Sequence, residues 1–148
     1  MSNGRFLQYY WQIRTLLGEK EHLLDRVHPD YQICGDDDVE YRSTFRATIV
    51  FADGSRLTVR FALKGDGDIV EFNYAYQYLD PHGKRIFRYD DAPHHPEIVT
   101  HPHHLHRGPE PSRGKKDKVY PLDILRVDFA TVFTKIERQY LKGAKCET

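Results

Sequence analysis

The chain has 148 residues, of which 39% are hydrophobic and 13% aromatic. This length predicts one domain, residues 1–148, with a core built largely on Tyr and Phe. The 22 basic and 22 acidic residues balance. The net charge therefore does not indicate a class of binding partner, and any anion-binding surface has to be local. No apolar run approaches the roughly 18 residues of a membrane span, and Cys34 and Cys146 form no Cys-x-x-Cys pattern. We therefore expect a cytoplasmic protein without a membrane segment.

The first predicted element is an amphipathic helix over residues 5–24, because Phe6, Tyr10 and Ile13 recur at helical spacing. The His28-Pro29-Asp30 segment that follows predicts a break in regular structure, since proline restricts the backbone and lacks an N–H donor.

Two alternating segments, 41–51 and 56–64, predict a β-hairpin. A three-residue loop with Gly54 in the left-handed conformation keeps the apolar faces together, because it pairs Ile49 with Leu57. A two-residue turn would mix the two faces, so we expect the longer loop.

This register also sets Arg46 opposite Arg60, and Arg42 opposite Lys64, on the outer face of the hairpin. Like charges directly opposite each other destabilise a sheet unless an anion lies between them. Two interpretations stay open: a solvated face on which Glu71 of the next strand supplies the counter-charge, or a phosphate-binding face.

Segments 69–79 and 85–90 predict a third and a fourth strand. In the third strand, Phe72 and the tyrosines at 74, 76 and 78 are expected to face inward, and Glu71 outward. The fold class predicted is α+β: an antiparallel meander sheet of four strands, or five, with the N-terminal and C-terminal helices packed on one face. The remaining predicted segments are the sheet 41–90, a His-rich loop 91–107, a mobile loop 108–118, and a helix 121–142 opened by Pro121.

The segment 94–106 holds six of the nine histidines. Histidine is the side chain whose unperturbed pKa, about 6.5, lets it exchange a proton near neutrality. Crowding of this kind serves no packing need, so it favours acid/base chemistry, metal ligation or phosphate recognition.

Acid/base cleavage of RNA is the first hypothesis, because it needs a base, an acid and a cation at the phosphorane but no cofactor. The candidate catalytic residues are Asp90, His94, His95, His103, His104 and His106. The candidate phosphate-binding residues are Arg46, Arg60, Arg88 and Arg107.

A site for a divalent metal such as zinc is the second hypothesis. Its candidate ligands are Asp91, His101, His103, His104 and His106. The spacing matches no established metal signature, and histidine-rich loops also bind metal adventitiously, so an incidental role for individual histidines stays open.

Two runs within this region, Phe87-Arg-Tyr-Asp-Asp-Ala-Pro-His-His and Pro102-His-His-Leu-His, resemble the signature of the TumE-type toxins of prokaryotic toxin–antitoxin modules. The resemblance covers roughly residues 5–142. By position, the polar signature of that family falls on Arg88, Asp90, His94, His95, His103, His104 and His106. The chain departs from it at Asp91 (Asn expected), Leu105 (Lys), Gln77 (His common) and Phe61 (Glu common), which puts any mechanism that needs those groups in doubt.

The resemblance implies a toxin that is neutralised by an antitoxin protein encoded alongside it. The hypothesis from the sequence is therefore a toxin acting as a His-dependent ribonuclease or other phosphoryl-group enzyme. RNA is a candidate partner, no membrane association is expected, and a homodimer is an open alternative. The alternative is a non-catalytic module that binds metal or nucleic acid through the His-rich loop.

Overall fold

The computed structural model describes residues 2–34, 42–64 and 68–141, which form an antiparallel sheet with two helices. In chain order the elements are α1 (Ser2–Glu19), a 3₁₀ turn (Glu21–Leu23), β1 (Leu24–Cys34), β2 (Arg42–Phe51), β3 (Arg56–Lys64), β4 (Glu71–Leu79), β5 (Arg85–Asp90), β6 (His104–Arg107), β7 (Val119–Tyr120) and α2 (Phe129–Gln139). Every strand pairs with its neighbours in the sequence. The α+β class and the antiparallel meander are thus confirmed.

The predicted number of strands, four or five, is wrong, because the sheet has seven. β1 crosses the Pro29 segment that we expected to break the chain, and Pro29 pairs with Ala47. β1 lies at the edge of the sheet, where a missing N–H donor is tolerated. β6 is a short strand inside the predicted His-rich loop, and β7 is a two-residue strand between the predicted mobile loop and the predicted helix.

The predicted register of the β2–β3 hairpin is confirmed, with Ile49 opposite Leu57 and Arg46 opposite Arg60. Gly54 has the positive φ, 90°, that the three-residue loop requires. The parity of both hairpin strands is therefore fixed, and with it the face of the sheet on which each side chain lies.

β4 contains an irregularity that the alternating pattern did not predict. Asn73 has a positive φ of 49°, and the pairing of β3 with β4 shifts at this point. The carboxylate of Asp91 accepts hydrogen bonds from the N–H groups of Asn73 (2.8 Å) and Tyr74 (3.0 Å). The shift reverses the parity of the first residues of β4, so Glu71 faces inward and Phe72 outward, the opposite of our prediction.

The helices cover one face of the sheet, which we call the helical face. Among the described residues, no helix covers the opposite, outer face. On the helical face Tyr10 of α1 stacks on Phe45 (5.3 Å between ring centroids), and Phe133 of α2 contacts Phe51 (5.8 Å). The largest fully buried side chains are mainly aromatic: Phe6, Phe51, Phe61, Tyr74, Tyr76, Tyr78, Phe87, Tyr89, Phe129 and Phe133. No helix in the described part of the chain has the length and hydrophobicity to cross a bilayer.

Glu71 joins three elements on the helical face. Its carboxylate accepts hydrogen bonds from the Tyr9 hydroxyl of α1 and from the backbone N–H of Phe129 (3.1 Å), the first residue of α2.

The N-cap of α2 is Asp128, which accepts from the Thr131 N–H at 2.8 Å. The predicted start of this helix at Pro121 is therefore wrong. The predicted end at residue 142 and the predicted strand start at Tyr41 lie outside the described residues.

The buried position of Glu71 makes stability depend on pH. Burial raises the pKa of Glu71 from its usual value near 4.5 to about 8, so the folded state retains a proton that the unfolded chain releases. The free energy of unfolding should then decrease as the pH rises from about 5 to about 8. We expect Glu71→Gln to flatten this decrease, measured by urea unfolding at both pH values. Glu19→Gln, an exposed site at the end of α1, is the control. An equally steep decrease in Glu71→Gln would contradict the prediction.

Candidate active site

Strand parity brings four polar side chains of β5 and β6 together on the outer face. Arg88 and Asp90 alternate with buried Tyr89 on β5. Across the ladder, Arg88 pairs with His106, and Asp90 with His104. Arg88, Asp90, His104 and His106, which all lie in the two runs that resemble the toxin signature, therefore form one compact cluster.

Asp90 is the centre of this cluster and is only 5% exposed. Its Oδ1 lies 2.8 Å from His104 Nε2 and accepts the Ala92 N–H at 3.0 Å. Its Oδ2 accepts a hydrogen bond from Arg88 Nε at 3.0 Å and lies 3.4 Å from His106 Nε2. Burial alone would raise the pKa of Asp90. The contact with His106, the hydrogen bonds from the Ala92 N–H and Arg88, and the charge of His104 outweigh burial and hold this pKa well below its usual range.

His104 is a buried partner of Asp90. Its Nδ1 lies 3.0 Å from the Pro102 carbonyl oxygen, so both ring nitrogens face oxygen acceptors. Both contacts are hydrogen bonds only when the ring carries two protons. Burial opposes that charge and lowers the pKa of His104, although the Pro102 carbonyl and Asp90 act in the opposite direction. The side chain of His104 is only 3% exposed and lies directly against Asp90.

His106 is oriented by a second carboxylate, Asp117. The Nδ1 of His106 lies 2.8 Å from Asp117 Oδ2, which fixes a proton on Nδ1 and aims Nε2 toward Asp90 and the open face. Asp117 is held by the buried guanidinium of Arg85 through two hydrogen bonds of 2.7 and 2.8 Å. The Arg85 hydrogen bond also lowers the pKa of Asp117, so the carboxylate stays charged beside His106.

Arg85 and Asp117 were not predicted from the sequence. Arg85 begins a strand, where a charged residue is usually solvated, and Asp117 lies in the segment that we predicted to be a mobile loop. The sequence does contain one indication of a role for Asp117, because it is the single acidic residue in the run Lys115-Lys116-Asp117-Lys118. An acid within a basic run is a candidate for a partner elsewhere in the fold.

A groove of about 520 Å³ passes over the cluster, and we call it the histidine groove. His94 and His95 line this groove, and so do residues 110–115. The ring of His95 lies 4.9 Å from that of His104 and 6.3 Å from that of His106, and its Nδ1 is 3.5 Å from Glu97 Oε2. Four of the five histidines that we predicted to be catalytic therefore border this groove.

The fifth predicted histidine, His103, lies apart from the others. Its ring stacks on Tyr74 at 5.8 Å, and its Nδ1 is 2.8 Å from the Tyr74 hydroxyl, on the helical side of the sheet. Arg107 follows His106 in β6, so its side chain lies on the opposite face of the sheet. It lies over the Tyr120 ring and 3.5 Å from Asp123. The structure thus brings neither His103 nor Arg107 to the groove.

A second groove of about 340 Å³ adjoins the first on the outer face, and we call it the arginine groove. Arg46 and Arg60 line it, as do Thr48 and Thr58, and Arg88 borders both grooves. Of the predicted phosphate-binding residues, Arg88 is therefore at the cluster, and Arg46 and Arg60 lie farther along the same face.

Three groups of the cluster could hold a metal ion. The ligand atoms of Asp90, His104 and His106 all lie within 4.8 Å of one another, and each histidine has its Nδ1 against a protein oxygen, as metal-binding histidines do. The predicted metal set shares only His104 and His106 with this group. Asp91 binds the backbone of β4 instead, and His101 is exposed.

Comparison with known proteins identifies the family. The family model described as Toxin TumE matches residues 20–140, a range that contains the whole cluster and both grooves. Searches of the curated proteins and of the solved structures gave no match. The resemblance read from the two histidine runs is confirmed, and the chain belongs to the Toxin TumE family.

Proposed function

We propose that this toxin is a ribonuclease that cleaves RNA by acid/base chemistry in the histidine groove, acting in the cytoplasm. The observation that carries the proposal is the orientation of His106. Asp117 fixes its Nδ1 at 2.8 Å, so that Nε2 faces a groove that also contains Arg88 and His95. An imidazole oriented by a carboxylate, beside an arginine and a second imidazole, is the set that metal-free phosphodiester cleavage needs.

The reaction follows from these positions. His106 Nε2 takes the proton of the ribose 2′-hydroxyl, and the 2′-oxygen forms a bond to the adjacent phosphorus. The bond from phosphorus to the 5′-oxygen breaks, and His95 gives that oxygen a proton. The products are a 2′,3′-cyclic phosphate and a 5′-hydroxyl. Because the nucleophile is the 2′-hydroxyl, DNA is not a substrate.

The remaining groups stabilise charge or hold the reacting side chains. Arg88 donates to Asp90 through Nε, and in the described part of the chain its Nη groups make no hydrogen bond, so they can bind the phosphorane oxygens. His106 becomes cationic between Asp117 and Asp90, 2.8 and 3.4 Å away. His104 keeps Asp90 in place. The Nδ1 of His95 lies 3.5 Å from Glu97 Oε2.

The family implies an antitoxin partner. We propose RNA as the second partner, and a homodimer stays a prediction from the sequence. The clustering of Asp90, His104 and His106 favours one alternative function, a module that binds a divalent metal at these three groups without cleaving RNA.

His106→Ala should lower the rate of cleavage of an oligoribonucleotide by about 10³-fold, because a general base contributes 10²–10⁴. The measurement is the release of 2′,3′-cyclic phosphate, together with growth arrest on expression. His103→Ala is the matched control, since it removes a histidine three residues away on the other side of the sheet. Equal activities of the two variants would contradict the assignment of His106.

Asp117→Asn should lower kcat at least tenfold and change KM little, because an amide no longer fixes the proton on His106 Nδ1. The pH profile of kcat should also shift. Asp123→Asn is the control, a carboxylate of similar exposure that binds Tyr89 and Lys135 on the helical face. A parallel loss of kcat in both variants would mean that Asp117 acts only through stability.

Metal removal separates the two candidate functions. After purification without nickel resin and dialysis against a chelator, we expect the rate of RNA cleavage to change less than twofold. Metal analysis of the undialysed protein is the companion measurement. Loss of cleavage on dialysis would overturn metal-free acid/base catalysis. Stoichiometric metal in a protein that cleaves no RNA before or after dialysis would support the metal-binding module.

A further inference from the structure

We propose that the outer face binds single-stranded RNA over several nucleotides, with Arg46 and Arg60 holding phosphates other than the one that is cleaved. The inference rests on the proposed function and extends it to the class of substrate. It also changes the role that the sequence suggested for these two arginines, which was to hold the reacting phosphate.

The register across the sheet gives the length of the binding surface. One row runs Arg46, Arg60, Ala75, Asp90 and His104 over β2 to β6, and the parallel row runs Thr48, Thr58, Gln77, Arg88 and His106. Neighbouring strands lie about 4.8 Å apart, so the four intervals from β2 to β6 span about 19 Å. This length exceeds one phosphodiester, so the Arg46 end and the His106 end hold different phosphates of one strand.

The two grooves share Arg88 as a lining residue, and Ala75 lies beside it in the arginine groove. Ala75 lies between Arg60 and Asp90 in its row, and its methyl group leaves the floor open. Arg88 borders the arginine groove on one side and the histidine groove on the other. A chain bound at the cluster can therefore continue into the arginine groove without crossing a bulky side chain.

The charges in the arginine groove suit phosphates. Arg46 and Arg60 are exposed and lie directly opposite each other, an arrangement that an anion between them stabilises. The counter-charge suggested by the sequence, Glu71, faces the helices instead. Asp30 pairs with Arg46 in the register of β1, but its side chain lies outside the described set.

The lining of the histidine groove favours a single strand. Two loop segments contribute to it, Ala92, His94 and His95 after β5 and residues 110–115 before β7, together with Arg88 and His106. Arg113 and Lys115 supply positive charge, and Glu110 supplies one negative charge. A groove lined by loops admits one backbone more readily than a rigid A-form duplex, and basic side chains along a groove are typical of single-strand binding.

The test compares a dinucleotide with a single-stranded dodecaribonucleotide. Arg46→Gln/Arg60→Gln should lower the preference for the dodecamer, expressed as the ratio of the two KM values, by at least tenfold. The salt dependence of dodecamer binding should also weaken, by about 0.7 in the log–log slope for each phosphate that the variant no longer neutralises. Arg14→Gln/Arg138→Gln, which removes two exposed arginines from α1 and α2, is the control of equal charge and should behave as the wild type.

Binding is measured separately from cleavage, by fluorescence anisotropy of a 2′-deoxy dodecamer that cannot react. Weaker binding in the Arg46/Arg60 variant alone supports the extended binding surface, even if the wild type cleaves nothing and the ribonuclease proposal fails. Cleavage with the same length preference in all three proteins would overturn the extended surface and leave the ribonuclease standing. Tighter binding of a duplex than of the single strand would also overturn it.

Discussion

The alternation of side chains along β-strands is the constraint on which this structure depends. Tyr76 and Tyr89 turn toward the helices and are fully buried, while their neighbours Gln77 and Arg88 turn the other way. Aromatic and aliphatic residues fill the space under α1 and α2, so no charged group is needed there except where it ties elements together. The opposite face is left to arginines, histidines and threonines, whose functional groups can meet a ligand.

The irregularity at Asn73 adjusts this alternation at one place, with consequences on both faces. Regular pairing would put Glu71 outward, near the arginines, and Phe72 inward. With the shift, Glu71 instead binds Tyr9 and the N-terminus of α2, and Phe72 lies beneath Lys64, 4.7 Å from its Nζ. The same carboxylate cannot neutralise the outer face and cap a helix. Because Glu71 binds the helix, the outer face is more positive, as a surface for polyanions requires.

Local patterns predicted those parts of the fold that depend on neighbours in sequence. The hairpin register followed from Gly54 and the apolar alternation, and Arg88, Asp90 and His106 could be singled out because they crowd one segment. The rest depends on contacts distant in sequence. Arg85 and Asp117 meet only because β5 and the segment before β7 lie side by side, and β1 tolerates its proline only because it is an edge strand. Neither fact is encoded within a window of a few residues.

The departures from the family signature fall mostly away from the cluster. Phe61 and Leu105 are buried on the helical face, and Asp91 holds the irregular turn of β4 through two backbone N–H groups. Only Gln77 borders the histidine groove, opposite Arg88 in the ladder. An amide there can donate and accept hydrogen bonds, but it cannot exchange a proton near neutral pH. In the reaction that we propose, proton transfer therefore rests on the imidazoles of His106 and His95, which is why the carboxylate behind His106 matters.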